Sequence, residues 1–266
     1  MENKNQPTHV MGVALLHKCN FNCDHCGYIY IGDNEDHIIR PGYRMTWDQV
    51  QTAIKDCISL KGSIWNMNFT GGEPTLWEEE KFDLLDILIK VAEAGQLPSC
   101  NTNGSYFDDY GQCRDFFNRY LENSTIPLRT FISMDKFHKN YDEEKGRAKS
   151  LDNIMKYLDE LPADKRELLP VHVVIIVTND PDSSLPEEMK NYYGTAGITF
   201  GDFPMMAIGK AKELTGQLPD PPDLTDMRRN VSNGPGVLTL VGDDYYSGNK
   251  IVGKLGHMLD LYPAAN

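Results

Sequence analysis

Six short apolar runs, each followed by a turn and then by apolar residues three and four apart, leave few folds open to this chain. The runs cover residues 9–16, 64–70, 97–103, 128–134, 171–177 and 198–203. The helical signals between them are specific. Thr46 with Gln49 forms a capping box ahead of a stripe of Val50, Ala53, Ile54, Cys57 and Ile58. Glu78, Glu79 and Glu80 fall in the first turn of a second expected helix, where acids suit the positive end of the dipole. Phe82, Leu85, Leu88, Ile89 and Ala92 mark its buried side. A third helix falls near 108–121, a fourth is capped by Ser150, and Ser184 with Glu187 reads as a capping box before a fifth. Apolar strands alternating with helices imply parallel strands joined by right-handed crossovers, an α/β class. Six units are too few for an eight-fold barrel. An open, curved partial barrel fits the count better than a flat doubly wound sheet, and the pattern alone leaves both open.

Beyond residue 203 the rhythm stops. Residues 216–233 are rich in Pro, Asp and polar side chains and read as irregular. Residues 237–252 read as a hairpin turning at Gly242-Asp243-Asp244, and 255–261 as a short helix. The expected division is 9–214 for the strand–helix region and 215–266 for a C-terminal extension. The 26 basic residues against 39 acidic ones, a net charge of −13, argue against binding bulk nucleic acid or an anionic membrane. The longest apolar run, 171–177, is too short to cross a bilayer, and the first ten residues lack the apolar stretch of a signal peptide. A cytoplasmic protein is the expectation.

The chemistry concentrates in residues 19–26, CNFNCDHC. Cys19, Cys23 and Cys26 follow the first strand at spacings of four and three. Three thiolates on one loop can hold three corners of a four-iron, four-sulfur cluster, which four cysteines normally complete. The next cysteine is Cys57, so one iron is left open for something that is not protein. A zinc site of three cysteines with His17 or His25 is the alternative from another class. Cys57, Cys100 and Cys113 share no ligand spacing and read as buried free thiols.

The spacing Cys19-x3-Cys23-x2-Cys26, with Gly71-Gly72-Glu73-Pro74 after the second strand and six strand–helix units, resembles the radical S-adenosylmethionine (radical SAM) superfamily over residues 10–214. His25 fills a position that is usually aromatic. The resemblance implies a (β/α)6 partial barrel and one [4Fe-4S] cluster on Cys19, Cys23 and Cys26, with S-adenosylmethionine on the open iron. It implies reductive cleavage to a 5'-deoxyadenosyl radical. That radical takes hydrogen from a small metabolite or a peptide in a biosynthetic pathway, with flavodoxin or ferredoxin as electron donor. Gly71 and Gly72 would let backbone approach the cofactor, and Glu73, followed by Pro74, would accept from its ammonium. Asn103, Ser133, Asp135, Thr178 and Met206 would line the nucleoside, and Asp135 and His138 are candidate catalytic residues. Lys136 and His17 stand close by in sequence. Ordinary turn and helix-start chemistry accounts for the same residue types. The C-terminal hairpin resembles the start of the SPASM-type extension without its auxiliary-cluster cysteines, since none follows Cys113. One cluster is therefore expected. Substrate, reaction type, the fate of S-adenosylmethionine and oligomeric state are not written in these motifs.

Overall fold

The computed structural model describes residues 9–26, 42–59, 65–138, 140–142, 144, 146–178, 184–204, 237–241, 244–247 and 250–256. Met206, the stretch 216–233, the turn residues Gly242 and Asp243, and most of the helix expected at 255–261 lie outside them. Six parallel strands follow one another across the sheet in chain order. They are β1 (His9–Leu16), β2 (Trp65–Gly71), β3 (Leu97–Thr102), β4 (Arg129–Ser133), β5 (Val171–Val177) and β6 (Thr199–Pro204). The intervening helices are α1 (Trp47–Ser59), α2 (Leu84–Glu93), α3 (Tyr110–Asn123), α4 (Lys149–Glu160), α5 (Ala163–Arg166) and α6 (Glu187–Gly194). The architecture is the α/β partial barrel expected, open at β6.

Period-two alternation gives the sheet two unlike faces. Met11, Val13, Met67, Phe69, Cys100, Ile132, Val173 and Ile175 are fully buried in one core with Val50, Leu88, Phe117, Tyr120 and Ile154 from the helices. The opposite face carries Asn66, Asn68, Ser99, Asn101, Arg129, Phe131 and His172, paired in register from strand to strand. Ser99 Oγ lies 2.7 Å from Asn66 Oδ1 and 3.1 Å from Asn68 Oδ1, and the Phe131 and His172 rings stack at 5.1 Å.

The expected C-terminal hairpin forms and gains a third strand: β7 (Val237–Val241), β8 (Asp244–Ser247) and β9 (Lys250–Lys254). β7 pairs parallel with β1, from Val10 opposite Val237 to Val13 opposite Leu240, and β8 and β9 continue antiparallel. The edge that β1 would otherwise leave open is thereby closed, which removes a row of unpaired backbone groups. Gly256 N then donates to Asp56 Oδ2 of α1 at 2.7 Å.

Local corrections concern helix starts. The box at α1 forms as expected, with Thr46 N donating to Gln49 Oε1 and Gln49 N to Thr46 Oγ1. The Glu78–Glu80 stretch is not helical. Glu78–Glu79 pairs with Phe82–Asp83 in a short ribbon turning at Glu80, whose φ is 54°. The helix waits for Asp83, which makes a reciprocal capping box with Asp86, both held by Arg119 from α3. Ser150 lies buried inside α4 rather than capping it; the cap is Ala148, whose amide donates to Tyr193 Oη. Ser184 bonds Asp202 instead of capping α6, which starts after Pro186.

Candidate active site

The cysteine loop leaves the end of β1 and is fastened at once to the end of β2. Gly72 N donates to Leu16 O at 2.7 Å and Glu73 N to Lys18 O at 2.9 Å. A Cβ built on Gly72 would stand 2.2 Å from Lys18 O and 2.6 Å from His17 O. The missing side chain makes room for the backbone of the cysteine loop itself. Gly71 ends β2 at φ 124°, a region that favours glycine.

Glu73 is 1% exposed. Its Oε1 accepts from Thr75 N, Thr75 Oγ1 and Thr102 Oγ1 at 3.1, 2.7 and 2.7 Å, and its Oε2 from Asn103 N at 2.7 Å. Burial raises its pKa and these donors pull it back. The carboxylate ties the end of β2 to the end of β3, and Pro74 opens the short 3₁₀ turn Pro74–Leu76 that it caps. Asn103 completes the clamp. Its Nδ2 donates to Asn20 Oδ1 at 2.8 Å and lies 3.8 Å from Cys19 Sγ, while Asn20 Nδ2 reaches Ser105 Oγ at 2.8 Å. Asn140 Nδ2 donates to Asn103 O and Ser133 O, joining the ends of β3 and β4.

The three cysteines are partly buried and free. Burial raises the pKa of Cys19, against the Phe21 amide that donates to it. Burial, then the charges of Cys26 and Cys19, push Cys23 up to about 12. Three soft donors stand on one loop, Cys19 and Cys23 each facing the charge of a neighbouring thiolate, and thiolate is the form that ligates metal. The donor set therefore fits an iron–sulfur cluster. Cys57, Cys100 and Cys113 are buried apart in α1, β3 and α3, and desolvation raises all three, Cys113 to about 12.

Asp135, just past β4, is fully buried. Its Oδ1 accepts from Phe137 N and His138 N at 2.9 Å. Its Oδ2 lies 2.9 Å from His138 Nδ1 and 3.3 Å from Ile176 N. Burial opposes its charge, yet the bond and charge of His138 hold its carboxyl below the usual range. His25, between two of the cysteines, places Nε2 3.8 Å from the same oxygen and its ring 4.7 Å from that of His138. Burial pushes His25 down to about 4, and its Nδ1 is buried without a hydrogen-bond partner among the described residues. The carboxylate of Asp135 thus serves four protein donors, whereas the resemblance would have it serve a ribose.

The structure brings the cysteines, Glu73, Asn103, Ser133, Asp135 and His138 to one end of the sheet; Thr178 stands past β5 at that end. Lys136 lies over the Phe137 ring. Sequence reasoning missed Asn20 and Asn140 as clamps and the His25–Asp135–His138 grouping. Asn20 lies inside the motif, but nothing in the spacing reveals which partner it grips. Two surface clefts, between α2 and α3 at Thr75, Tyr106 and Arg119, and between α1 and α2 at Ile54, Ile58 and Lys90, do not include the cysteines.

Known proteins share this fold. Native anSMEcpe with bound AdoMet is 13% identical at a TM-score of 0.50, covering 96% of this chain and 81% of its own. SuiB of Streptococcus suis, bound to S-adenosylmethionine, is 10% identical at a TM-score of 0.51, covering 91% of this chain and 58% of its own. No curated protein sequence matches. The model of the radical SAM superfamily matches residues 13–190, from within β1 to midway along α6. That match takes in the cysteine loop, the glycine clamp beneath it and five of the six parallel strands, and on it the chain belongs to the radical SAM superfamily of enzymes.

Proposed function

We propose that the protein is a single-cluster radical SAM enzyme acting on a small metabolite or a peptide, reduced by a flavodoxin- or ferredoxin-type donor. The family uses a [4Fe-4S] cluster and S-adenosylmethionine. When bound, they supply a 5'-deoxyadenosyl radical able to take hydrogen from carbon. The observation that carries the reading is the seating of Cys19, Cys23 and Cys26 on the end of β2 through Gly72 and Glu73. In this reading Cys19, Cys23 and Cys26 hold the cluster. The rim of Gly71, Gly72, Glu73, Pro74, Asn103, Ser133 and Thr178 positions S-adenosylmethionine, with Met206 from beyond β6.

The cysteines support the single-cluster reading. All six lie among the described residues, and the three outside the loop sit singly in apolar surroundings that keep them protonated. A peptide substrate has support in anSMEcpe, solved with AdoMet and the Kp18Cys peptide at a TM-score of 0.51 and 13% identity. The open strand-end face also suits a metabolite. We take residues 9–214 as the catalytic unit and 215–266 as its cover, and place the protein in the cytoplasm. Among the described residues no helix is long and apolar enough to cross a membrane.

Metal analysis after anaerobic reconstitution tests the reading. Iron and sulfide near four each per chain support it. About eight irons overturn the single cluster, and zinc without sulfide favours a Cys3His site using His17 or His25, whose Nε2 and Nδ1 respectively are buried without a hydrogen-bond partner among the described residues.

A further inference from the structure

Arg129 opens β4 on the sheet face that turns away from the helices, and the fold gives it no acid. Arg114, Arg119, Arg147 and Arg166 each meet a carboxylate. Half-buried Arg129 makes no hydrogen bond, ion pair or ring contact among the described residues. Its row across the sheet is Asn68, Ser99 and Arg129, and the next row is Asn101, Phe131, His172 and Thr199. Asn68, Asn101, Phe131 and His172 each keep part of their surface open. Ser99 Oγ has one hydrogen, which goes to Oδ1 of Asn66 or of Asn68. The Nδ2 donors of Asn68 and Asn101 have no partner among the described residues. His172 is bonded to Thr199 Oγ1, and burial, then the charge of Arg129, lowers its pKa and keeps it neutral at neutral pH. The guanidinium is the cation of these two rows and stays charged at any pH the protein meets.

We propose that Arg129 binds a carboxylate of the substrate, with Asn68 and Asn101 as neutral donors beside it, and that the substrate is an extended carboxylic acid. The inference deepens the radical reading above and rests on it for where the reacting carbon lies. Arg129 and Ser133 share one face of β4, about 13 Å apart by the rise of a parallel strand. Ser133 belongs to the rim. Asn140 Nδ2 donates to Ser133 O and to Asn103 O, and Asn103 Nδ2 lies 3.8 Å from Cys19 Sγ. An acid gripped at Arg129 therefore spans several bonds from its carboxylate to a carbon at the rim. The carboxylate of a peptide or of a long metabolite meets that span, and acetate does not. A guanidinium takes a carboxylate through two parallel N–H···O bonds. A phosphate dianion draws on several cations or on a helix N-terminus, whereas these rows offer one cation and neutral amides. The net charge of −13 repels acids in general, so an acidic substrate needs a cation placed for it.

The test is phenylglyoxal labelling of the anaerobic, cluster-loaded enzyme at fixed ionic strength, read arginine by arginine by mass spectrometry. The probes are glutarate and N-acetyl-tetraalanine, each beside its amide, and inorganic phosphate. We expect Arg129 to be labelled in the folded enzyme and its labelling to slow several-fold with glutarate or the free-acid peptide, and not with either amide. The acid that protects better tells a metabolite from a peptide. Exposed Arg44 is the internal reference and should react at one rate throughout. Arg129 unlabelled until the protein is denatured overturns the proposal. Labelling that no carboxylate slows overturns it too, as does protection by phosphate alone. Labelling needs no cleavage of S-adenosylmethionine. Enzyme that shows the protection but forms no 5'-deoxyadenosine counts against the radical reading alone, and enzyme that forms it with Arg129 unprotected counts against the acid site alone.

Discussion

Replacing Gly72 by alanine tests how the cysteine loop is seated. The added Cβ meets Lys18 O at 2.2 Å and His17 O at 2.6 Å, both backbone atoms. Restoring an ordinary contact moves the loop by about 1 Å, which a close-packed interior resists. Overpacking of this kind costs about 1–3 kcal/mol. The shift also strains the bonds from Gly72 N to Leu16 O and from Glu73 N to Lys18 O, each worth about 1 kcal/mol net. Together the loss is roughly 2–5 kcal/mol, or a fall in Tm of roughly 5–15 °C for a chain of this size. Gly194→Ala is the control, since nothing lies within 4 Å of its Cβ. Thermal unfolding followed by circular dichroism, with iron bound after reconstitution, reads both proteins. Gly72→Ala should melt early and hold little iron, while Gly194→Ala matches the parent. Equal melting and equal iron in Gly72→Ala would refute the seating argument.

Other expectations follow from the same contacts. Glu73→Gln turns an amide NH2 toward amide and hydroxyl donors, and chemical denaturation should show a loss of about 2–4 kcal/mol from the unmet groups. Cys113→Ala should keep its iron, whereas Cys23→Ala should lose it, as seen in the absorbance near the cluster's brown colour. His25 is pushed down to about 4 by burial, so its neutral form stabilises the fold above its unfolded value of about 6.5. That stability falls as pH drops from about 6.5 toward the folded value, by roughly 1 kcal/mol at pH 5.5. In iron-free protein, His25→Phe should flatten this decline in urea midpoints between pH 7.5 and 5.5.

The legible part of the fold was its rhythm. β5, with VHVVIIV, and β1, with HVMGVALL, announce themselves as near-continuous apolar runs, the pattern of parallel strands, although β5 buries only alternate residues fully. The helix starts were harder, because several residues competed to cap. Asp83 and Asp86 won over the glutamates before them through a reciprocal pair and Arg119, a partner distant in sequence. β7 could be seen as a strand, but its partner could not, since pairing with β1 joins residues more than 200 apart. In the site, the cysteine spacing was readable because ligands come from one loop. The glycine pair was readable as a close approach, but its object, the Lys18 carbonyl, emerged only from the fold. Asp135 was placed at the right end of the sheet. That its oxygens serve His138, Phe137 and Ile176 depends on a turn and a neighbouring strand that no spacing encodes.

The most direct test of the account is the product of S-adenosylmethionine cleavage. Reconstituted protein is incubated anaerobically with dithionite and S-adenosylmethionine, and 5'-deoxyadenosine is quantified by mass spectrometry beside the Cys19, Cys23 and Cys26 triple alanine variant. The account predicts 5'-deoxyadenosine and methionine in equal amounts from the parent and neither from the variant. A parent protein holding about four irons yet forming no 5'-deoxyadenosine would contradict it.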